Sequence, residues 1–167
     1  FDATCWHDLL LAEAVRAARA GRELFCAAWN DCKEDPVLAR IEAETVNFTG
    51  PVIIAIDHGG PWLKDKQSIE RWSAEDAMAG VKKSFEAAVE AGYDLIHVDP
   101  TVDIYVPKGE IIDIRVVVER TVELIAHVER FRRAKGLPAI SYEVGTEEVH
   151  GGLADQTTFD RFLTGLK

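Results

Sequence analysis

The sequence predicts an α/β protein of the (β/α)8 TIM-barrel type, of which the chain covers about five βα units, that is, part of a barrel of about 250 residues. Three observations lead there. Strand-like apolar runs alternate with helical patterns along the whole chain, and strict β-then-α alternation implies a parallel sheet with right-handed crossovers. The run Pro51-Val-Ile-Ile-Ala-Ile-Asp57 is apolar without alternation, as in strands buried on both faces of a parallel sheet. The residues able to do chemistry gather just after the strand-like runs. An open doubly wound parallel sheet has the same alternation and is the alternative. It is disfavoured because no G-x-G-x-x-G follows the first strand and no Walker A sequence occurs.

Phe1–Cys5 reads as the tail of a first strand, and Asp8–Arg19 as the helix behind it, stopped by Gly21. Glu23–Trp29 is a short buried strand. Asp35-Pro36 is an N-cap followed by proline in the first helical position, opening a helix to about Val46. The strand 51–57 is closed by His58-Gly-Gly-Pro61. Ser73 with Asp76 three residues on forms a capping box for a helix that Gly92 ends. Leu95–Asp99 is the next strand, and Asp113–Lys135 a long helix before Gly136. Ala139–Val144 is the last strand and Asp155–Leu166 the last helix. The predicted strands thus end near Cys5, Trp29, Asp57, Asp99 and Val144, within one partial barrel domain spanning 1–167.

Composition narrows the function. A net charge of −10 argues against nucleic-acid partners, since an acidic chain repels phosphate backbones. No apolar run reaches the roughly 20 residues of a membrane-spanning helix, so no membrane partner is expected. Three cysteines without CxxC spacing point to reduced thiols and a cytoplasmic setting. The basic cluster Arg130, Arg132, Arg133 and Lys135 is read as a solvated C-terminal helix turn, where cations are favoured.

In a barrel, active sites gather at the C-terminal strand ends. Here those ends carry Thr4-Cys5-Trp6-His7, Asn30-Asp31, Asp57-His58, Asp99, and Glu143 with Glu147, Glu148 and His150. His58 beside Asp57 suits a metal ligand next to a general acid or base. Gly59-Gly60 permits the backbone turn that would let both neighbours reach one site. The segment Glu143 to Gly152 brings three carboxylates and a histidine together with glycines. Carboxylate oxygens plus imidazole can hold Zn²⁺ or another divalent ion, which makes Glu147 and His150 candidate metal ligands with His58. Gly145, Gly151 and Gly152 would let backbone amides approach a phosphate. Asn30, at its strand end, is a further substrate-binding candidate. His97, in period two with Leu95 and Asp99, and His127, within the long helix, are read as structural. Trp62 and Trp72 are read as packing the loop after Asp57-His58.

The motifs Ile56-Asp-His-Gly-Gly-Pro61, Ala91-Gly-Tyr-Asp-Leu-Ile-His-Val-Asp99 and Ser141-Tyr-Glu-Val-Gly-Thr-Glu147 with Gly151-Gly152 resemble the GatZ/KbaZ-like family. These are the non-catalytic subunits of class II tagatose-bisphosphate aldolase. More distantly the chain is similar to the catalytic class II ketose-bisphosphate aldolases. The resemblance implies a barrel acting on ketose or ketose-phosphate sugars by metal-assisted retro-aldol chemistry. It implies that Asp57 exchanges a substrate hydroxyl proton, with Asp99 and Glu143 as further catalytic residues, and that His58 binds a divalent metal, zinc by analogy. Glu143 falls at the Glu of the aldolases' Glu-x-Gly, where the non-catalytic subunits often carry an apolar residue. A metal-dependent ketose epimerase would use the same groups. The resemblance also admits a non-catalytic subunit that stabilises a separate catalytic aldolase, or a homo-oligomer. Five units of a barrel by themselves are expected to be inactive.

Overall fold

The computed structural model describes residues 24–29, 50, 52–107, 110–145 and 156–167. The strands are β1 (Leu24–Trp29), β2 (Val52–Gly59), β3 (Leu95–Val98) and β4 (Ser141–Val144). They form one sheet in the order β1-β2-β3-β4, every neighbouring pair parallel. The helices are α1 (Asp65–Ile69), α2 (Ala74–Ala91), α3 (Ile114–Ala134) and α4 (Gln156–Gly165). The predicted α/β class with a parallel sheet is therefore observed. The predicted strand ending near Cys5, the helix behind it and the helix from Pro36 lie outside the described residues.

Local chemistry explains the boundaries. Ser73 caps α2 by accepting the Asp76 amide at 3.1 Å, and Gly92 ends the helix at φ 85°, a left-handed position that glycine adopts without a Cβ penalty. Asp113 caps α3 by accepting the Arg115 amide at 2.9 Å. Helix α1 was not expected from the sequence. Its segment Asp-Lys-Gln-Ser-Ile has no apolar periodicity, and it is fixed instead by the buried Gln67, whose Oε1 accepts the Trp62 amide at 2.7 Å.

The core lies between the sheet and the helices. Ile56, Ile96 and Val98 meet Met78, Val81, Phe85, Ala88 and Val89 of α2 and Leu124 and Val128 of α3. Phe85 is fully buried, and truncating such a residue to alanine costs about 3–5 kcal/mol. Side chains alternate along a strand. The residues between these core positions, Ala55, Asp57, Leu95, His97, Ser141 and Glu143, therefore take the sheet's other face. Register carries them into rows across the sheet. Trp29 pairs with Asp57, and His97 pairs with Glu143.

Candidate functional site

One irregularity in β2 builds the site. Ile56 pairs with Ile96 but Gly59 pairs with Val98, so β2 uses three steps where β3 uses two. The extra residue is a β-bulge, a device that re-aims side chains at strand ends. His58 sits in it with φ 52°. A left-handed conformation costs a non-glycine residue of order 1–3 kcal/mol and persists only where its surroundings enforce it. The bulge breaks the alternation that would send Asp57 and His58 to opposite faces.

Two glycines make the bulge possible. A Cβ on Gly59 would run into the His97 carbonyl and lie 2.5 Å from the Phe85 ring, and one on Gly60 would strike the Asp99 carbonyl. Here the backbones of the two strand ends approach closely, which brings four titratable side chains together. His97 Nδ1 lies 3.0 Å from Asp57 Oδ1, which also accepts the His58 backbone N–H at 3.0 Å. His58 Nε2 is 3.8 Å from Asp57 Oδ2, and its Nδ1 is 3.5 Å from Asp99 Oδ2. The two imidazole rings are 5.6 Å apart between centroids.

The two carboxylates have different surroundings. Asp57 is about one-third exposed, whereas Asp99 is 2% exposed and its Oδ1 accepts the Thr101 hydroxyl at 2.6 Å. Asp57 can meet a substrate; Asp99 is enclosed and faces His58. Among the described residues, Asp57, His58 and His97 form a group whose ligand atoms lie within 4.8 Å of one another, close enough to hold a metal ion. The donor set suits one. Two imidazoles and a carboxylate are zinc ligands, and bonds of about 2.0–2.1 Å place tetrahedral ligands about 3.3 Å apart. The 3.0 Å between Asp57 Oδ1 and His97 Nδ1 is near that spacing.

The loops leaving β2 and β3 are clipped together beyond the site. Trp62 is 2% exposed and donates its indole N–H to the Trp72 carbonyl at 2.9 Å. The Arg120 guanidinium lies 5.2 Å from the Trp62 ring and donates from Nη2 to Asp103 Oδ2 at 2.6 Å. Tyr105 meets Trp62 edge-on at 5.9 Å. Trp62 thus packs the loop, as the sequence suggested.

Of the predicted site residues, Asp57, His58 and Asp99 come together. Glu143 is exposed on β4, beside His97 in register. Gly145 is buried against the His97 ring, and its N–H is taken by the Val98 carbonyl at 3.0 Å, so that amide points along the sheet. Asn30, Glu147, His150, Gly151 and Gly152 lie outside the described residues. His97, read from the sequence as a core histidine, is the residue sequence reasoning missed. It is indeed buried, at 8% exposed, but it is buried against Asp57. Its period-two alignment with Asp99 was the signal that placed it on this face.

A protein-family model described as D-tagatose-1,6-bisphosphate aldolase subunit GatZ/KbaZ-like matches residues 34–162, more than half of the chain. No match is found among curated proteins. A crystal structure from Sinorhizobium meliloti 1021, described as a "probable tagatose 6 phosphate kinase", superposes with a TM-score of 0.64 at 20% identity. The alignment covers 94% of this chain and 42% of that one. At that identity the likeness concerns the fold alone. It is the family match, which spans Asp57, His58, His97 and Asp99, that identifies the sequence: the chain belongs to the GatZ/KbaZ-like family of D-tagatose-1,6-bisphosphate aldolase subunits.

Proposed function

We propose that the full-length protein acts on ketose or ketose-phosphate sugars by metal-assisted aldol chemistry at the ends of β2 and β3. The observation that supports this most is the assembly of Asp57, His58, His97 and Asp99 at one strand-end site inside the family-matched segment. In the retro-aldol direction a substrate hydroxyl loses its proton, the neighbouring C–C bond breaks, and one half leaves as an aldehyde. The other half carries the electron pair next to its carbonyl. Asp57 is the residue proposed to move the proton, a role supported by its being the partly exposed carboxylate of the site. The backbone N–H of His58 and the ring of His97 both meet Oδ1, the oxygen on the side the metal would take, and Oδ2 is the oxygen proposed to exchange the proton. A divalent metal, zinc by the donor set, supplies Lewis-acid stabilisation of the developing negative charge when bound. Glu143, in register beside His97, is a second acid–base candidate at the exposed side of the site.

The chain is read as one domain and as part of a (β/α)8 barrel. Strand order supports this: the four strands among the described residues follow one another in one direction across the sheet, whereas each half of a Rossmann sheet contributes about three before the order reverses. Aldol cleavage of ketose bisphosphates by the full-length protein, with zinc supplied, tests the activity. Asp57→Ala is expected to lower kcat by about 10²–10⁴-fold, the range for losing a general acid–base group. No cleavage by wild-type protein with metal bound would sink the catalytic reading.

A second reading, a non-catalytic subunit that stabilises a separate class II aldolase, is favoured by the family's description as an aldolase subunit and by the engagement of Asp57 Oδ1 from two sides. It predicts that Asp57→Ala leaves the activity of a co-expressed aldolase partner unchanged, while the partner's thermal stability depends on this protein. A cytoplasmic location is proposed on the cysteine usage. Among the described residues no helix is long and apolar enough to cross a membrane.

A further inference from the structure

We propose that His97 completes a divalent-metal site with Asp57 and His58, built entirely from β2 and β3. The sequence had pointed to His58 with Glu147 and His150, which would draw ligands from the segment after β4. The geometry points instead to two adjacent strands.

Four observations carry this. The three ligand atoms lie within 4.8 Å of one another, and Asp57 Oδ1 lies 3.0 Å from His97 Nδ1, near the spacing of about 3.3 Å in a tetrahedral shell. His58 is also poised in the way metal-bound histidines are. Its Nδ1 faces the buried Asp99 carboxylate at 3.5 Å, so a proton on Nδ1 makes Nε2 the unprotonated nitrogen, and Nε2 is the one on the Asp57 side. A carboxylate behind a histidine is the usual second support of a metal ligand and fixes its tautomer. Asp99 is held in turn by the Thr101 hydroxyl. The charge balance favours a cation as well. Asp57 and Asp99 both approach His58, and their ion-pair partners among the described residues are the two histidines rather than lysine or arginine. Finally, the ring of His97 is pinned. Gly145 packs against it so closely that a Cβ there would lie 2.5 Å from Nε2, which turns Nδ1 toward Asp57. Three protein ligands leave a fourth position open, the arrangement of a catalytic zinc rather than a structural one.

The inference rests on the metal-assisted reading only for the metal's use; occupancy is measurable without substrate. Full-length protein is stripped with chelator and titrated with Zn²⁺ by calorimetry and with Co²⁺ by visible absorption. One equivalent is expected, with the intense d–d bands of a low-coordinate nitrogen–oxygen site. His58→Ala and His97→Ala should each abolish stoichiometric binding and those bands. His127→Ala, at a histidine paired with Glu86 of α2, and the double change Glu147→Ala with His150→Ala should leave both intact. Circular dichroism of each apo variant separates lost ligation from lost folding, and His97→Gln offers a milder change should the alanine variant unfold. Stoichiometric binding that survives in folded His97→Ala or His97→Gln overturns the proposal, as does wild-type protein that binds no metal. If binding follows His97 and yet no ketose phosphate is cleaved, the site stands and only the catalytic reading fails.

Discussion

His58 holds a backbone conformation that its side chain alone would avoid, and the residues that enforce it are nameable. Gly59 and Gly60 allow the β3 backbone to come within contact, and Asp99 faces the ring from behind. Gly60→Ala would drive a Cβ into the Asp99 carbonyl, a backbone atom that cannot swing away. It is expected to destabilise the protein by about 1–3 kcal/mol or more, the cost of overpacking, read as a lowered urea midpoint. Asp99→Asn keeps the shape and removes the charge behind His58. Metal affinity should fall by about 10–100-fold, the usual effect of losing a metal ligand's supporting carboxylate, with little change in melting temperature; unchanged affinity would mean that Asp99 serves only the Thr101 turn. At this scale the sequence was partly legible. Asp57-His58 before two glycines signalled a turn that gathers both side chains, and the bulge achieves it. What could not be read was the partner of His97. Burial of a histidine in a strand looks the same whether it faces a core methyl or a carboxylate from the next strand, and only the register of β2 on β3 decides.

Between elements, the strand-end loops and the opposite end of the sheet are tied by different means. At the strand ends, Arg120 of α3 bridges Trp62 and Asp103 and so couples the loops that follow β2 and β3. Among the described residues its Nη1 is buried without a hydrogen-bond partner, and an unsatisfied buried donor costs about 1–3 kcal/mol. Elsewhere, the Tyr142 hydroxyl of β4 donates to Glu129 of α3 at 3.0 Å. Arg132 holds the same carboxylate at 2.6 Å, which lowers the Glu129 pKa. Burial, reinforced by the Glu129 hydrogen bond, raises the Tyr142 phenol above its ordinary range. A group whose pKa is raised by folding stabilises fully below its unfolded value and loses that contribution as pH rises. Stability should therefore fall from about pH 10, the unfolded tyrosine value, upward. Absorbance at the phenolate band should show a step above the ordinary tyrosine range, and Tyr142→Phe should remove it. The elements themselves were legible where caps and apolar runs mark them, as for α2, α3, β2 and β3. Helix α1 was not, because a buried glutamine and a tryptophan amide hold it rather than its own pattern. Of the basic turn ending α3, read as solvated, Arg130, Arg133 and Lys135 are exposed, but Arg132 is largely covered where it pairs with Glu129.

At the scale of the molecule, the four parallel strands among the described residues set Asp57, His97 and Glu143 on one face of the sheet, and helices α2 and α3 close the other. Alternation of strand and helix made the α/β class and the parallel sheet visible in advance. Closure into a barrel is a property of strands the described sheet does not contain, and the chain spans 42% of the solved structure it superposes on. The proposed site, in contrast, needs nothing beyond β2 and β3 for its three ligands. The most direct measurement is anomalous diffraction at the zinc edge from crystals of the full-length protein soaked in stoichiometric Zn²⁺. The account predicts one strong peak about 2.0–2.2 Å from a carboxylate oxygen of Asp57 and a ring nitrogen each of His58 and His97. A peak ligated by Glu147 and His150, or no peak near β2 and β3, would contradict it.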